Sequence, residues 1–225
     1  MLKALIFDFD GLMVDTESAI FQTWQEIYRD HNHELELSRY VQCVGSHGSD
    51  YDPGTELDSL VGRKLDWTTL LGWQHRRNHE LLAEMDTREG IRELLLEAES
   101  EGVPCAVASS SSSDWVLGWL ERLNLRKSFA HVITRDLVAR PKPAPDLFLM
   151  TMERLEVGGR HALVLEDSSN GLKAAVSAEV PCVIVPNRVT RGLDFTHARA
   201  VVPTLAGLGL GDLREIHTPG KSLAI

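Results

Sequence analysis

The chain has 225 residues, with 23 Lys and Arg against 33 Asp and Glu and a formal charge of −10 at pH 7. That length allows one large domain, or one domain with an insert, and it buries a core without disulfide or metal staples. The 43% hydrophobic and 25% charged content argues against a disordered chain. The acidic excess argues against a nucleic-acid partner, whose phosphates need clustered Lys and Arg.

The three cysteines, Cys43, Cys105 and Cys182, are odd in number and widely spaced. Cys105 and Cys182 sit in apolar runs, VPCAVA and VPCVIV, and read as small core residues. With no disulfide framework and no zinc pattern, a reducing compartment is expected. No apolar stretch reaches the length of a membrane span, so no membrane partner is expected. The opening MLKALIFDFDG turns acidic too soon for a signal peptide, and the expected location is the cytoplasm.

The first predicted element is a strand over Leu5–Phe9. Residues 15–85 then show no clear strand, yet they hold every Tyr and three of the five Trp. Ile20, Trp24, Ile27 and Tyr28 mark one amphipathic helix there; Leu70, Leu71, Leu81, Leu82 and Met85 mark another. The stretch Gly45–Gly54 between them, GSHGSDYDPG, reads as a surface loop. Trp24, Trp67 and Trp73 read as the core of this helical part rather than as a sugar-stacking platform. His75 and His79 have zinc-compatible spacing but no third ligand. With Arg76 and Arg77 they read as a solvated basic face, the alternative being a surface that attracts an anionic substrate.

From residue 86 onward, helical stripes alternate with short apolar runs. Ile91, Leu94, Leu95 and Ala98 precede a strand over Val103–Ala108. Val116, Trp119, Leu120 and Leu123, opened by Ser113 or Asp114 as a cap, precede His131–Thr134. A helix with Pro145 at its start precedes Ala162–Leu165. A small-residue helix over Gly171–Glu179 precedes Pro181–Val185, and Ala200–Val202 follows. Short apolar runs bounded by turn residues fit strands buried on both faces. The fold class is therefore α/β, a Rossmann-like doubly wound parallel sheet with an α-helical cap domain inserted after the first strand. The expected division is core over 1–14, helical cap over 15–85, and core again over 86–225 with a frayed tail from Thr218.

Open α/β sheets bind ligands at the carboxyl ends of their strands. The residues there are Asp8 and Asp10 after the first run, Ser109 after the second, and Glu166 and Asp167 after Ala162–Leu165, with Lys142 ahead of the Pro145 helix. Three or four carboxylates in one cleft repel unless a cation neutralises them. Hard oxygen donors without His or Cys favour Mg²⁺. A carboxylate can act as a covalent nucleophile toward phosphorus, and a second Asp two residues on can exchange protons with the leaving oxygen. Lys and Ser suit the phosphoryl oxygens. Each piece alone has a bland reading as a turn, a cap or a solvated rim; four in order at strand ends do not.

The segments DFDGLMVDTE, VASSS, KPAPDLF and LEDSSNG resemble the four ordered motifs of the haloacid dehalogenase superfamily across almost the whole chain. The closest branch carries a helical cap after the first motif and includes β-phosphoglucomutase and many sugar-phosphate phosphatases. The resemblance implies Asp8 as nucleophile, Asp10 as acid and base, Ser109 on the transferring phosphate and Lys142 between that phosphate and Asp8. It implies Mg²⁺ held by Asp8, Asp167 and the Asp10 backbone carbonyl, with Glu166 supporting them. Gly11 to Glu17 become the mobile link between core and cap. Gly11, Glu17 and Ser110 are candidate substrate contacts, joined by Ser46, His47 and Arg76 from the cap.

Departures from the family narrow the reading. Asp10 argues against dehalogenation. Ile20 stands where β-phosphoglucomutase carries a cap His, and Gly45–Gly48 lacks the Arg of its substrate loop, which favours hydrolysis over mutase chemistry. Lys64, the only cap lysine, lies in a context unlike the Schiff-base lysine of phosphonoacetaldehyde hydrolase. The expected function is a Mg²⁺-dependent phosphatase acting, as a monomer, on a small phosphorylated metabolite. The rivals are a β-phosphoglucomutase-like phosphotransferase and a non-catalytic module, the latter disfavoured because Asp8, Asp10 and Lys142 are all present.

Overall fold

The computed structural model describes residues 1–44 and 51–218. Its six strands are β1 (Ala4–Phe7), β2 (Cys105–Ser109), β3 (His131–Thr134), β4 (Ala162–Glu166), β5 (Cys182–Ile184) and β6 (Ala200–Val201). They form one sheet in the order β3-β2-β1-β4-β5-β6, and every pairing is parallel. The apolar runs predicted from sequence coincide with these strands to within two residues at either end. Phe9 leaves the first strand but stays buried.

Burial on both faces explains why the runs lack polar alternation. Leu5, Phe7, Val107, Leu163, Leu165 and Val183 point to one face, while Ile6, Ala108, Val164 and Ile184 point to the other. Side chains alternate across a strand, so each apolar run feeds two cores. The first face is covered by α5 (Ile91–Ser100), α6 (Ser113–Arg122) and α9 (Leu210–His217). The second is covered by α7 (Asp146–Arg154) and α8 (Ser169–Ser177). The α6 start differs from expectation: Ser112 is the cap residue, and the Ser113 N–H is taken by the Asp136 carboxylate at 2.5 Å.

Between β1 and β2 lie α1 (Thr16–Asp30), α2 (Leu37–Tyr40), α3 (Pro53–Val61) and α4 (Trp67–Leu82). They gather their own apolar cluster around Phe21, Ile27, Tyr28, Leu35, Tyr40 and Leu57, with Trp24, Trp67 and Trp73 packed against it. One residue from outside this segment, Val189 after β5, is buried in the same cluster. Pro53 and Gly54, predicted as loop, open α3 instead, because Asp52 caps the helix by accepting from Thr55 N–H and proline suits the first turn. Leu71, predicted on a core stripe, is 47% exposed, since α4 turns Gln74 and Leu82 inward. No helix among the described residues is long and apolar enough to cross a membrane.

The chain runs from the helical segment back to the sheet through residues 83–90, and arginines hold this connection by main-chain oxygens. Arg88 donates to the carbonyls of Gly11, Val185 and Pro186, and Arg122 donates to those of Ala83 and Met85. The connection ends at Gly90, which caps α5 in the left-handed region with φ +86°. A Cβ there would overlap the backbone of Leu205. Gly90→Ala is expected to destabilise the fold by about 3 kcal/mol through combined strain and overpacking, read as a lower urea midpoint with an unchanged slope.

Candidate active site

The strand order reverses at β1, whose neighbours β2 and β4 run on to opposite sides of the sheet. A crevice opens at such a point, beyond the carboxyl ends of the central strands. Asp8 follows β1, Ser109 ends β2, and Glu166 ends β4 with Asp167 next in chain. Lys142 reaches the same place from the loop before α7. All five line a cavity of about 640 Å³, a size suited to a small metabolite.

Lys142 is the centre of the polar arrangement. Its Nζ donates to Asp8 Oδ1 at 2.5 Å, to Glu166 Oε1 at 2.7 Å and to the Ala108 carbonyl at 2.8 Å. The side chain is only 2% exposed. Burial works against its charge, yet the Asp8 and Glu166 carboxylates outweigh it and hold the ammonium well above the ordinary lysine range. Glu166 is saturated from its other oxygen, which accepts from the N–H groups of Asp167 and Ser168 and from the Ser168 hydroxyl. Gly171 makes room for this, since a Cβ there would overlap the Glu166 carboxylate.

Asp8, Glu166 and Asp167 each offer a carboxylate oxygen within 4.8 Å of the others, and all three are buried. Burial, reinforced by Glu166, pushes the Asp8 carboxyl well up, although Lys142 pulls against it. Burial and the neighbouring Glu166 and Asp8 charges likewise push Asp167 up. One ammonium among three buried carboxylates leaves negative charge in excess. A donor set of hard oxygens carrying such an excess fits a hard divalent cation. Asp167 is oriented by Asn187, whose Nδ2 donates to its Oδ2 at 2.7 Å and to the Gly11 carbonyl at 3.3 Å.

The Asp10 carboxylate turns toward a separate set of donors. Its Oδ1 accepts from Thr16 Oγ1 and from the Trp115 indole N–H, both at 2.9 Å, and its Oδ2 accepts from Ser111 Oγ at 2.6 Å. Ser109 Oγ accepts from Ser111 N–H at 3.0 Å, and Ser110 Oγ is buried without a partner among the described residues. The side of the cavity formed by the helical segment carries Glu17, Ile20, Trp24, Tyr40, Cys43 and Val44. Trp24 thus serves both the helical cluster and the cavity wall.

The structure brings Asp8, Asp10, Ser109, Ser110, Lys142, Glu166, Asp167 and Glu17 around one cavity. Gly11 lies just behind it, as the carbonyl shared by Arg88 and Asn187. Arg76 is exposed on α4 and does not line the cavity. Ser46 and His47 lie outside the described residues. Sequence reasoning missed Thr16, Ser111, Trp115 and Asn187. Asn187 could have been found by extending the strand-end reading to β5, which it follows closely. Ser111 stood unmarked in a serine run.

Comparison with known proteins identifies the family. The model of the haloacid dehalogenase-like hydrolases matches residues 5–185. The protein YhcW of Bacillus subtilis is 37% identical over 195 residues, covering 87% of this chain and 88% of that protein. A phosphorylated carbohydrates phosphatase of Thermotoga maritima is 29% identical over 221 residues, 96% of this chain and 100% of that one. The crystal structure of CbbY from Rhodobacter sphaeroides in complex with phosphate has a TM-score of 0.73 at 28% identity, covering 95% of this chain and 100% of that one. Since the family match takes in β1 through β5 and the residues around Lys142, the chain belongs to the haloacid dehalogenase-like hydrolase family.

Proposed function

We propose that the protein is a Mg²⁺-dependent phosphatase that hydrolyses a small organic phosphate monoester, a sugar phosphate in kind, through a phosphoaspartate on Asp8. The observation that carries this reading is the buried Lys142 ammonium held between Asp8 and Glu166 at the strand ends. An ammonium there keeps a nucleophilic carboxylate in place and meets the phosphoryl oxygens as charge builds on them. The name of the Thermotoga maritima relative supports a phosphorylated carbohydrate. The phosphate held by CbbY supports a phosphoryl site.

In this reading, Asp8 attacks phosphorus, and the ester oxygen leaves with a proton from Asp10. Asp10 then takes a proton from water as that water attacks the phosphoaspartate, which restores Asp8 and releases phosphate. Ser109 and Lys142 hold the phosphoryl oxygens. Asp8, Asp167 and the Asp10 backbone carbonyl would hold the Mg²⁺, with Glu166 behind them. Bound there, the cation would offset the carboxylates and polarise the phosphoryl group. Residues 15–85 serve as a cap over the core formed by 1–14 and 86–225, and the protein acts as a cytoplasmic monomer. Ile20 on the cavity wall gives the cap an apolar surface there, which favours release of the product over its retention for a second transfer.

Glu17 supplies a polar group from the cap side. Burial, with Asp10 and Asp15 beside it, pushes its carboxyl up to about 8. Protonated at neutral pH, it can donate a hydrogen bond to a sugar oxygen, which an ionised carboxylate cannot.

Two outcomes test this reading. With Mg²⁺ present, the protein should release inorganic phosphate from sugar phosphates, chelation should stop the release, and Asp8→Asn should lower it by about 10³-fold or more. Conversion of glucose 1-phosphate to glucose 6-phosphate without phosphate release would instead establish a mutase. The Glu17 carboxyl ionises near 4.5 in the unfolded chain and near 8 in the folded one. The folded state therefore holds the extra proton between those values, and stability from this group falls as pH rises through them. Glu17→Gln should gain stability relative to wild type between pH 5 and pH 8 in urea unfolding of the metal-free protein; equal changes in the two proteins would refute the assignment.

A further inference from the structure

We infer that Trp115 is a positioning residue for Asp10, whose indole N–H decides which carboxyl oxygen carries the proton that the reaction moves. This rests on the phosphatase reading for the role of Asp10, while the contact itself is a matter of geometry. The indole nitrogen lies 2.9 Å from Asp10 Oδ1, and Thr16 Oγ1 addresses the same oxygen at 2.9 Å. Among the described residues, Ser111 Oγ alone addresses Oδ2, at 2.6 Å.

These donors differ in what they permit. An indole N–H only donates, whereas a hydroxyl can donate or accept by rotating. Oδ1 is therefore fixed as an acceptor, and the transferable proton belongs on Oδ2. There Ser111 donates to the carboxylate and accepts from the carboxylic acid. When the leaving oxygen separates from phosphorus and Asp8 bonds to it, the Oδ2 proton passes to that oxygen. When water bonds to phosphorus and the Asp8–phosphorus bond breaks, a water proton returns to Oδ2.

The indole is held firmly enough for this task. Trp115 lies in the first turn of α6, and its ring meets Trp119 edge-on at 5.9 Å and 71°. Trp119 is buried, and the Arg122 guanidinium covers it at 4.4 Å. A donor on a packed helix sets a side chain more precisely than one on a loop. The half-buried Trp115 also lines the cavity, so it serves as wall and as donor.

The test is Trp115→Phe, which keeps an aromatic ring against Trp119 and deletes the N–H. Glucose 6-phosphate needs a proton on its leaving oxygen; 4-nitrophenyl phosphate does not. With glucose 6-phosphate, kcat should fall about 10- to 100-fold while KM stays within about threefold, as expected for a misplaced acid. The burst of 4-nitrophenol that accompanies formation of the phosphoenzyme should keep its rate within about threefold of wild type. With kcat referred to active sites counted from the burst amplitude, the ratio of the two rates does not depend on the fraction of protein folded. Trp119→Phe, which loosens the same packing without touching Asp10, should leave that ratio as in wild type. Equal losses on both esters, a change in KM alone, or the same shift in ratio from Trp119→Phe would overturn the proposal. A second readout needs no change at Trp115. In the ¹⁵N-labelled protein, one of the five indole N–H resonances should move when Asp10→Asn is introduced, and if none moves the contact is absent. Wild-type protein inactive on every ester would sink the phosphatase reading, and the indole resonance would still decide the contact.

Discussion

Asp8 and Glu166, at the ends of the two central strands, are arranged around one buried ammonium. Lys142 cannot leave its place without taking the ammonium from Asp8 and Glu166, and if either carboxylate turns away Lys142 loses one of its three acceptors. Such a triad is weak evidence of a stabilising role, because the loss of hydration on burial can exceed the attraction gained, and apolar replacements of equal volume are often neutral or better. Its presence marks a part of the fold shaped by chemistry. The Glu166 hydrogen bonds and the space left at Gly171 then read as supports that keep the triad in one geometry.

The sheet makes that arrangement possible by bringing distant parts of the chain to one edge. Asp8 and Lys142 are 134 positions apart in sequence, yet they meet because β1 lies between β2 and β4. The two apolar layers hold those strands in register and leave only their carboxyl ends free for polar work. The net charge of −10 says little about this site, where the balance is local: three buried carboxylates, one ammonium and room for a divalent cation.

Residues whose role follows from their position in the fold were legible in the sequence. Asp8, Ser109, Glu166 and Asp167 each stand at the end of an apolar run, so finding the strands also found the site. The strands were easy to find because burial on both faces removes polar residues from them. Residues whose role follows from a partner far along the chain were not legible. Trp115 lies near a helical stripe and carries no mark of a role; only folding brings it to Asp10, 105 positions away. The short helix α2 has too few residues to show a period, and α3 was hidden by Pro53 and Gly54, which mark turns and helix starts alike. Leu71 reads as core on a stripe, but the buried Gln74 shows that α4 packs along a different line.

The connections between the helical segment and the sheet are gripped by their main chain. Arg88 reads the carbonyls of Gly11, Val185 and Pro186, and Arg122 reads those of Ala83 and Met85. A carbonyl is the same at every residue type, so the grip is indifferent to the side chains of the residues it holds. Ala83, Glu84 and Thr87 can therefore change without loss of that grip, whereas Asp86 also pairs with Arg92 and Met85 packs against the core. The helical segment can then vary in sequence while the strand ends beneath it stay aligned.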